Sequence, residues 1–263
     1  MELDRLQTEA YLRHISDILL INGGRLDNPG LHTGEMGLVL FFARYARFTQ
    51  NELYSDYSFE MIKRVQSRVN QETTVNYGQG LSGIGSTIEF LVQNGYFEAD
   101  TDRVLKDFDE RIFFTYNLSY LAFAQVIDIG YYALWRMSGR STLKDKIFKT
   151  VLLPIAKIME EWSRSDPINY PSASFFREII SSENCISHSN HSLNERRLQL
   201  CRMNSPDFLD MEAYDRLTER FSKKGFFENK FLRLGVKNGI AGWGLHSLSK
   251  LDDDDSWIAL FPV

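Results

Sequence analysis

The segment Cys185-Ile186-Ser187-His188-Ser189-Asn190-His191 holds a thiol and two imidazoles at steps of three residues. Three such donors meet the needs of a catalytic zinc that keeps one coordination position open, and Cys201 supplies a fourth donor if the next helix brings it near. The same stretch is rich in Ser and Asn, the composition of a solvated loop with incidental histidines. The expectation is that no metal or other cofactor is bound, with zinc on Cys185, His188 and His191 as the alternative. Carboxylates form a second group. Glu35, Asp128 and Glu183 are candidates for the paired-acid chemistry of carbohydrate-processing enzymes, but sequence alone places no pair.

A third group surrounds a recurring glycine pattern. Gly30-Leu31-His32-Thr33-Gly34-Glu35-Met36-Gly37, Asn76-Tyr77-Gly78-Gln79-Gly80-Leu81-Ser82-Gly83 and Gly235-Val236-Lys237-Asn238-Gly239-Ile240-Ala241-Gly242 align without gaps. Each precedes an apolar run of helical period, so each marks a loop-to-helix junction. Two reasons for glycine apply there: positive φ in the entering turn, and close approach of the helix start to a neighbouring backbone. Asn76 and Asn238 are expected to cap free N–H groups at these helix starts. His32, Tyr77, Gln79, Lys237 and Asn238 are the candidate binding residues. A worn copy is expected at Asp128-Ile129-Gly130-Tyr131-Tyr132-Ala133, with Gly130 and Ala133 in place of the glycine pair, and another near Asn184-Cys185-Ile186.

The elements that must position these groups are helical. Leu3, Leu6, Tyr11, Ile15 and Leu19 recur at helical spacing before Asn22-Gly23-Gly24. Similar patterns run through Glu52 to Val69, Asp102 to Phe114, Leu143 to Trp162 and Met211 to Phe221. Strand-like alternation is scarce. The reading is all-α, with about five helical hairpins in one domain spanning residues 1–263. Most of the aromatics at Phe113, Phe114, Tyr116, Tyr120, Phe123, Tyr131, Tyr132 and Trp135 are expected in the core. Trp257 to Phe261 is expected to dock as an apolar plug after a solvated acidic tract, Asp252 to Asp255.

Composition narrows the function classes. The formal charge of -5 offers no general attraction for nucleic acid or anionic lipid, and neither is expected as a partner. The longest apolar run is far too short to span a bilayer, and the start lacks the basic and apolar character of a secretory signal. Two cysteines do not make a disulfide framework, so a cytoplasmic location is expected.

Gly80-Leu81-Ser82-Gly83-Ile84-Gly85, Gly239-Ile240-Ala241-Gly242-Trp243-Gly244-Leu245 and Gly34-Glu35-Met36-Gly37-Leu38 resemble the repeats of the lanthionine synthetase C-like family. The acidic tract and apolar ending are similar to its short bacterial members. The resemblance implies an α/α toroid whose glycine turns gather around a cavity. In catalytic members a zinc ion there binds the cysteine of a peptide, whose thiolate adds to a dehydroalanine or dehydrobutyrine. It also implies a role near the active centre for Asp128, the candidate catalytic residue. The family holds zinc with a late-repeat cysteine and an adjacent Cys-His pair, and no Cys-His pair occurs in this sequence. The resulting expectation is a bacterial scaffold protein rather than an enzyme, whose partner is a peptide substrate or a peptide-modifying enzyme. A zinc-dependent thioether cyclase with altered ligands is the alternative, and a carbohydrate-processing toroid enzyme a further one.

Overall fold

The computed structural model describes residues 2–115, 117–165, 176 and 233–261. These residues are helical, with no strand among them. The expected fourth repeat, the Met211 to Phe221 helix, and Glu183, Cys185, His188, His191 and Cys201 lie outside the described residues. The chain divides into two compact units, Met1–Thr73 with Pro206–Asp255, and Thr74–Ser205 with Ser256–Val263.

The first unit contains α1 (Glu2–Asn22), α2 (Glu35–Thr49), α3 (Glu52–Arg68) and α10 (Ile240–Asp252). Helices α2 and α3 form a hairpin, α10 packs on α2, and α1 packs on α10. The hairpin is tight because Gln50 takes a left-handed conformation at the end of α2, and the side chain of Asn51 then accepts from the Leu53 N–H to start α3. Helix α2 is buried from Glu35 through Ala46, whereas α3 buries only Ser58, Met61 and Val65. That contrast follows from sequence, since EMGLVLFFARYA is apolar on every face and ELYSDYSFEMIKRVQSR on one.

The second unit contains α4 (Leu81–Gln93), α5 (Thr101–Val104), α6 (Lys106–Phe114), α7 (Phe123–Ser138), α8 (Lys144–Ile147) and α9 (Leu153–Ser165). Helix α4 packs on α7, on α5 and α6, and on the terminal turn Ser256–Leu260. The single helix expected over Asp102 to Phe114 is broken at Leu105, which is buried. The one expected over Leu143 to Trp162 contains a wider π turn at Phe148–Leu152. Pro154 follows that turn; it has no N–H to offer and its ring crowds the preceding carbonyls, and the wider winding absorbs both. Trp257, Ile258, Ala259, Leu260 and Phe261 are all buried, as an apolar plug requires. The tract before them is not simply solvated. Arg44 of α2, buried to 2% exposure, donates two hydrogen bonds to the Asp252 carboxylate (3.1 and 2.9 Å) and pairs with Asp254. The aromatic expectation holds for Phe113, Tyr131, Tyr132 and Trp135, but Phe114 and Tyr120 are exposed at 47% and 87%.

Candidate functional site

The three aligned glycine motifs do open helices, and they do so by one geometry. Gly34, Gly80 and Gly239 are the residues just before α2, α4 and α10. Each following N–H donates to a carbonyl seven residues earlier: Glu35 to Asn28 (2.9 Å), Leu81 to Thr74 (2.8 Å) and Ile240 to Arg233 (2.9 Å). The loop thereby turns back over its own helix start and satisfies a donor that a side-chain cap would otherwise take. A Cβ on Gly34, Gly80 or Gly239 would collide with the carbonyl oxygens of Asn28, Thr74 or Gly235 respectively. Close approach is therefore why glycine stands there. Positive φ is not: these glycines have φ of -115°, -127° and -132°. The left-handed residue in the last turn is Asn238, at φ 54°. The expected asparagine caps are likewise replaced by backbone carbonyls, and Asn76 Oδ1 instead accepts from the Gln79 N–H within the turn (2.8 Å).

Gly130 does not sit at such a junction. Helix α7 begins at Phe123, where Gln125 Oε1 accepts from the Ala122 N–H (3.2 Å), so Gly130 is in the helix interior. Its counterparts are Gly85 and Gly244. Within the second unit a Cβ on Gly85 would lie 2.5 Å from the Tyr132 ring, and one on Gly130 2.5 Å from Phe176; within the first, one on Gly244 would lie 2.5 Å from Phe41. In each case an aromatic ring of another helix occupies the space a side chain would take. Gly130 and Ala133 therefore do not replace the helix-opening glycine pair, and Gly130 is a helix-packing glycine instead.

In the second unit, Asn76, Tyr77 and Gln79 of the α4 turn come together with Asp128 of α7. The Asp128 carboxylate accepts from Asn76 Nδ2 (3.2 Å) and from the Tyr77 backbone N–H. Burial pushes its pKa up to about 6, against the two hydrogen bonds that favour the ionised form. Tyr77 is buried with its ring edge-on to Tyr131 at 5.8 Å, while Asn76 and Gln79 are exposed. The outcome is a carboxyl of raised pKa beside exposed amide groups that can donate and accept hydrogen bonds.

In the first unit, His32 and Lys237 are joined through their turns, the Lys237 N–H donating to the His32 carbonyl (2.7 Å). Burial, aided by the Lys237 charge, lowers the His32 pKa to about 4, so its imidazole is neutral near pH 7. Lys237 and Asn238 are exposed. Glu35 is fully buried in the first turn of α2, paired with Arg64 (2.7 Å) and Arg68 (3.1 Å). Burial raises its pKa in spite of these cations. Those contacts hold α3 against the start of α2.

Sequence reasoning missed a buried hub in the second unit. Arg136 of α7, with no exposure, pairs with Glu89 of α4, Asp102 of α5 (2.6 Å) and Asp109 of α6 (2.8 Å), and Tyr132 donates to Asp109 (2.6 Å). Burial raises the Asp109 pKa. At Asp102 burial is outweighed by hydrogen bonds from Ser141, Thr142 and Arg136, which hold that carboxyl well below the usual range. The available signal was a lone Glu in LSGIGSTIEFLVQ and a lone Arg in FAQVIDIGYYALWRMS, since an isolated charge in an apolar helix needs a buried partner.

Among the described residues no helix is long and apolar enough to cross a membrane. Nor does any group of three or more His, Cys, Asp or Glu among them have a geometry that could hold a metal ion. A family model described as "Lanthionine synthetase C-like protein" matches residues 26–173, just over half of the chain. No curated protein and no solved structure matches it.

Proposed function

Because the chain belongs to the lanthionine synthetase C-like family, we propose that it is a metal-free scaffold that binds a peptide, or the enzyme modifying that peptide, in a cytoplasmic pathway of bacterial peptide maturation. The observation that carries this reading is a contrast within the glycine turns. Their architecture is intact in three copies and their polar residues converge on Asp128 in the second unit and on His32 and Lys237 in the first. The donor set for zinc is absent from the same places. The last turn, Arg233 to Gly242, carries neither Cys nor His, and no Cys is directly followed by a His anywhere in the 263 residues. The described residues do not fit a zinc ion, and no reaction step is assigned through one. What the turns offer is hydrogen bonding: Asn76 and Gln79 present amides, Asp128 an acceptor, Lys237 a cation.

The test uses a synthetic peptide containing one cysteine and one dehydroalanine. Calorimetry should show saturable binding that Gln79→Ala or Lys237→Ala weakens several-fold, while metal analysis finds no zinc and the peptide thiol stays open to alkylation. Stoichiometric zinc, a protected Cys185 and disappearance of the peptide thiol would replace this reading with the cyclase using Cys185, His188 and His191.

A further inference from the structure

The ends of α4 and α7 remote from the glycine turns border a groove of about 1100 Å³ within the second unit. Its wall runs from the last turn of α4 through residues 94–102 and across the end of α7 to Ser256 and Ala259. At 1.5 Å per residue, the length of α4 puts this groove roughly 18 Å from the Asn76 turn. No binding residue discussed so far lines it.

Two independent features give the groove its sign. Helices α4 and α7 both terminate in it, so both present the negative end of the helix dipole. The side chains add to this. Glu89, Glu98, Asp100 and Asp102 line the groove against Arg140 alone. Behind the wall Arg136 is shared by Asp109, Glu89 and Asp102, and Lys144 acts on Glu89 from nearby. Carboxylates still outnumber cations by five to three. Three carboxylates thus divide one buried cation, and Glu98 and Asp100 add their charges on the exposed wall. Concave, low-dielectric walls focus such a field and favour a cation over a neutral group. The lining is not purely polar, because Val92 and Phe97 border the same space. A long aliphatic stem ending in a charge matches both properties.

We propose that this groove docks a basic peptide segment, with an arginine or lysine side chain lying against Val92 and Phe97 and its head group between Glu98 and Asp102. The inference takes the class of ligand from the peptide-binding reading above, and its place from the groove itself. Docking here leaves the glycine turn of α4, with Asp128 of α7 beside it, open to a second part of the same peptide. Two short contacts on one chain are stronger together than either alone, through effective concentration.

The experiment is fluorescence anisotropy with a labelled Arg-rich hexapeptide and its Glu-rich counterpart, on the full chain and three variants. Glu98→Lys and Arg140→Glu change exposed rim charges in opposite directions; Asp128→Asn alters only the glycine-turn site. The Arg-rich peptide should bind and the Glu-rich one should not. Glu98→Lys should weaken binding roughly fivefold and Arg140→Glu strengthen it by a similar factor, each less so at high salt. Asp128→Asn should leave it unchanged. Equal binding of both peptides, or indifference to both rim variants, overturns the groove. Loss of binding with Asp128→Asn alone moves the basic peptide to the glycine turns and also overturns it. If the dehydroalanine peptide fails to bind while the Arg-rich one responds to the rim variants, the earlier reading fails and this one stands.

Discussion

Asp128→Asn should make the protein more stable at neutral pH, and the gain should vanish in acid. The folded chain holds the Asp128 proton with a pKa of about 6, against 3.8 for the ordinary group. A raised folded value means that protonation favours the folded state. The benefit is full below about 3.8 and is lost as the pH rises through about 6. Above that, the folded chain carries an ionised carboxyl in a place that disfavours it. The difference is about two units, an upper limit of roughly 3 kcal/mol, and half-burial with solvent screening reduces it to about 1–2 kcal/mol. Asparagine has the same shape, cannot ionise, and keeps a carbonyl for the Asn76 amide or the Tyr77 N–H. Urea denaturation of wild type and variant at pH 7.5 and pH 4.0 isolates the effect, because the difference between them cancels every other titrating group, His32 included. The variant should have the higher midpoint at pH 7.5 and a nearly equal one at pH 4.0. A variant less stable at pH 7.5, or a difference independent of pH, refutes the reasoning. A stability gain accompanied by weaker peptide binding would be the mark of a residue kept for function at a cost to the fold.

Gly80→Ala should destabilise by about 3 kcal/mol or more, since its Cβ collides with the Thr74 carbonyl, whereas Gly24→Ala, whose nearest neighbour is 3.8 Å away, should change the melting temperature little. Arg136→Met should cost roughly 3–5 kcal/mol in urea denaturation by leaving Glu89 and Asp109 buried without their cation; adding Glu89→Gln and Asp109→Asn to the same chain should recover part of that loss. Truncation before Trp257 removes four large buried side chains, Trp257, Ile258, Leu260 and Phe261, and should lower stability by at least about 5 kcal/mol; unchanged melting behaviour would show that the plug is not docked.

Much of the fold was legible in the residues because it rests on local chemistry. Apolar periodicity marked α1, α3 and α9, and the repeated glycine motifs marked the starts of α2, α4 and α10 within a residue. Such signals survive because a helix start and a helix face are each encoded within about ten residues. The breaks were harder. Leu105 and the π turn before Pro154 depend on how a helix meets its neighbours, and Gly130 was misassigned because a packing glycine and a turn glycine look alike in sequence.

The opening residues divide along the same line. Sequence alone determined that the glycine turns exist, that an adjacent Cys-His pair is missing, and that His32 and Lys237 stand in those turns, since each is a matter of residue type and short spacing. Only tertiary structure decided that the glycines make room for carbonyls four to six residues back, that Asp128 meets Asn76 52 residues away, and that Arg136 gathers carboxylates from three other helices. It also decided that Arg44 clasps an acidic tract more than 200 residues along the chain. The physical reason is that burial sets the value of a charge. A Glu or Arg reads alike in any sequence, but removed from water it needs a partner, and that partner is chosen by packing in space.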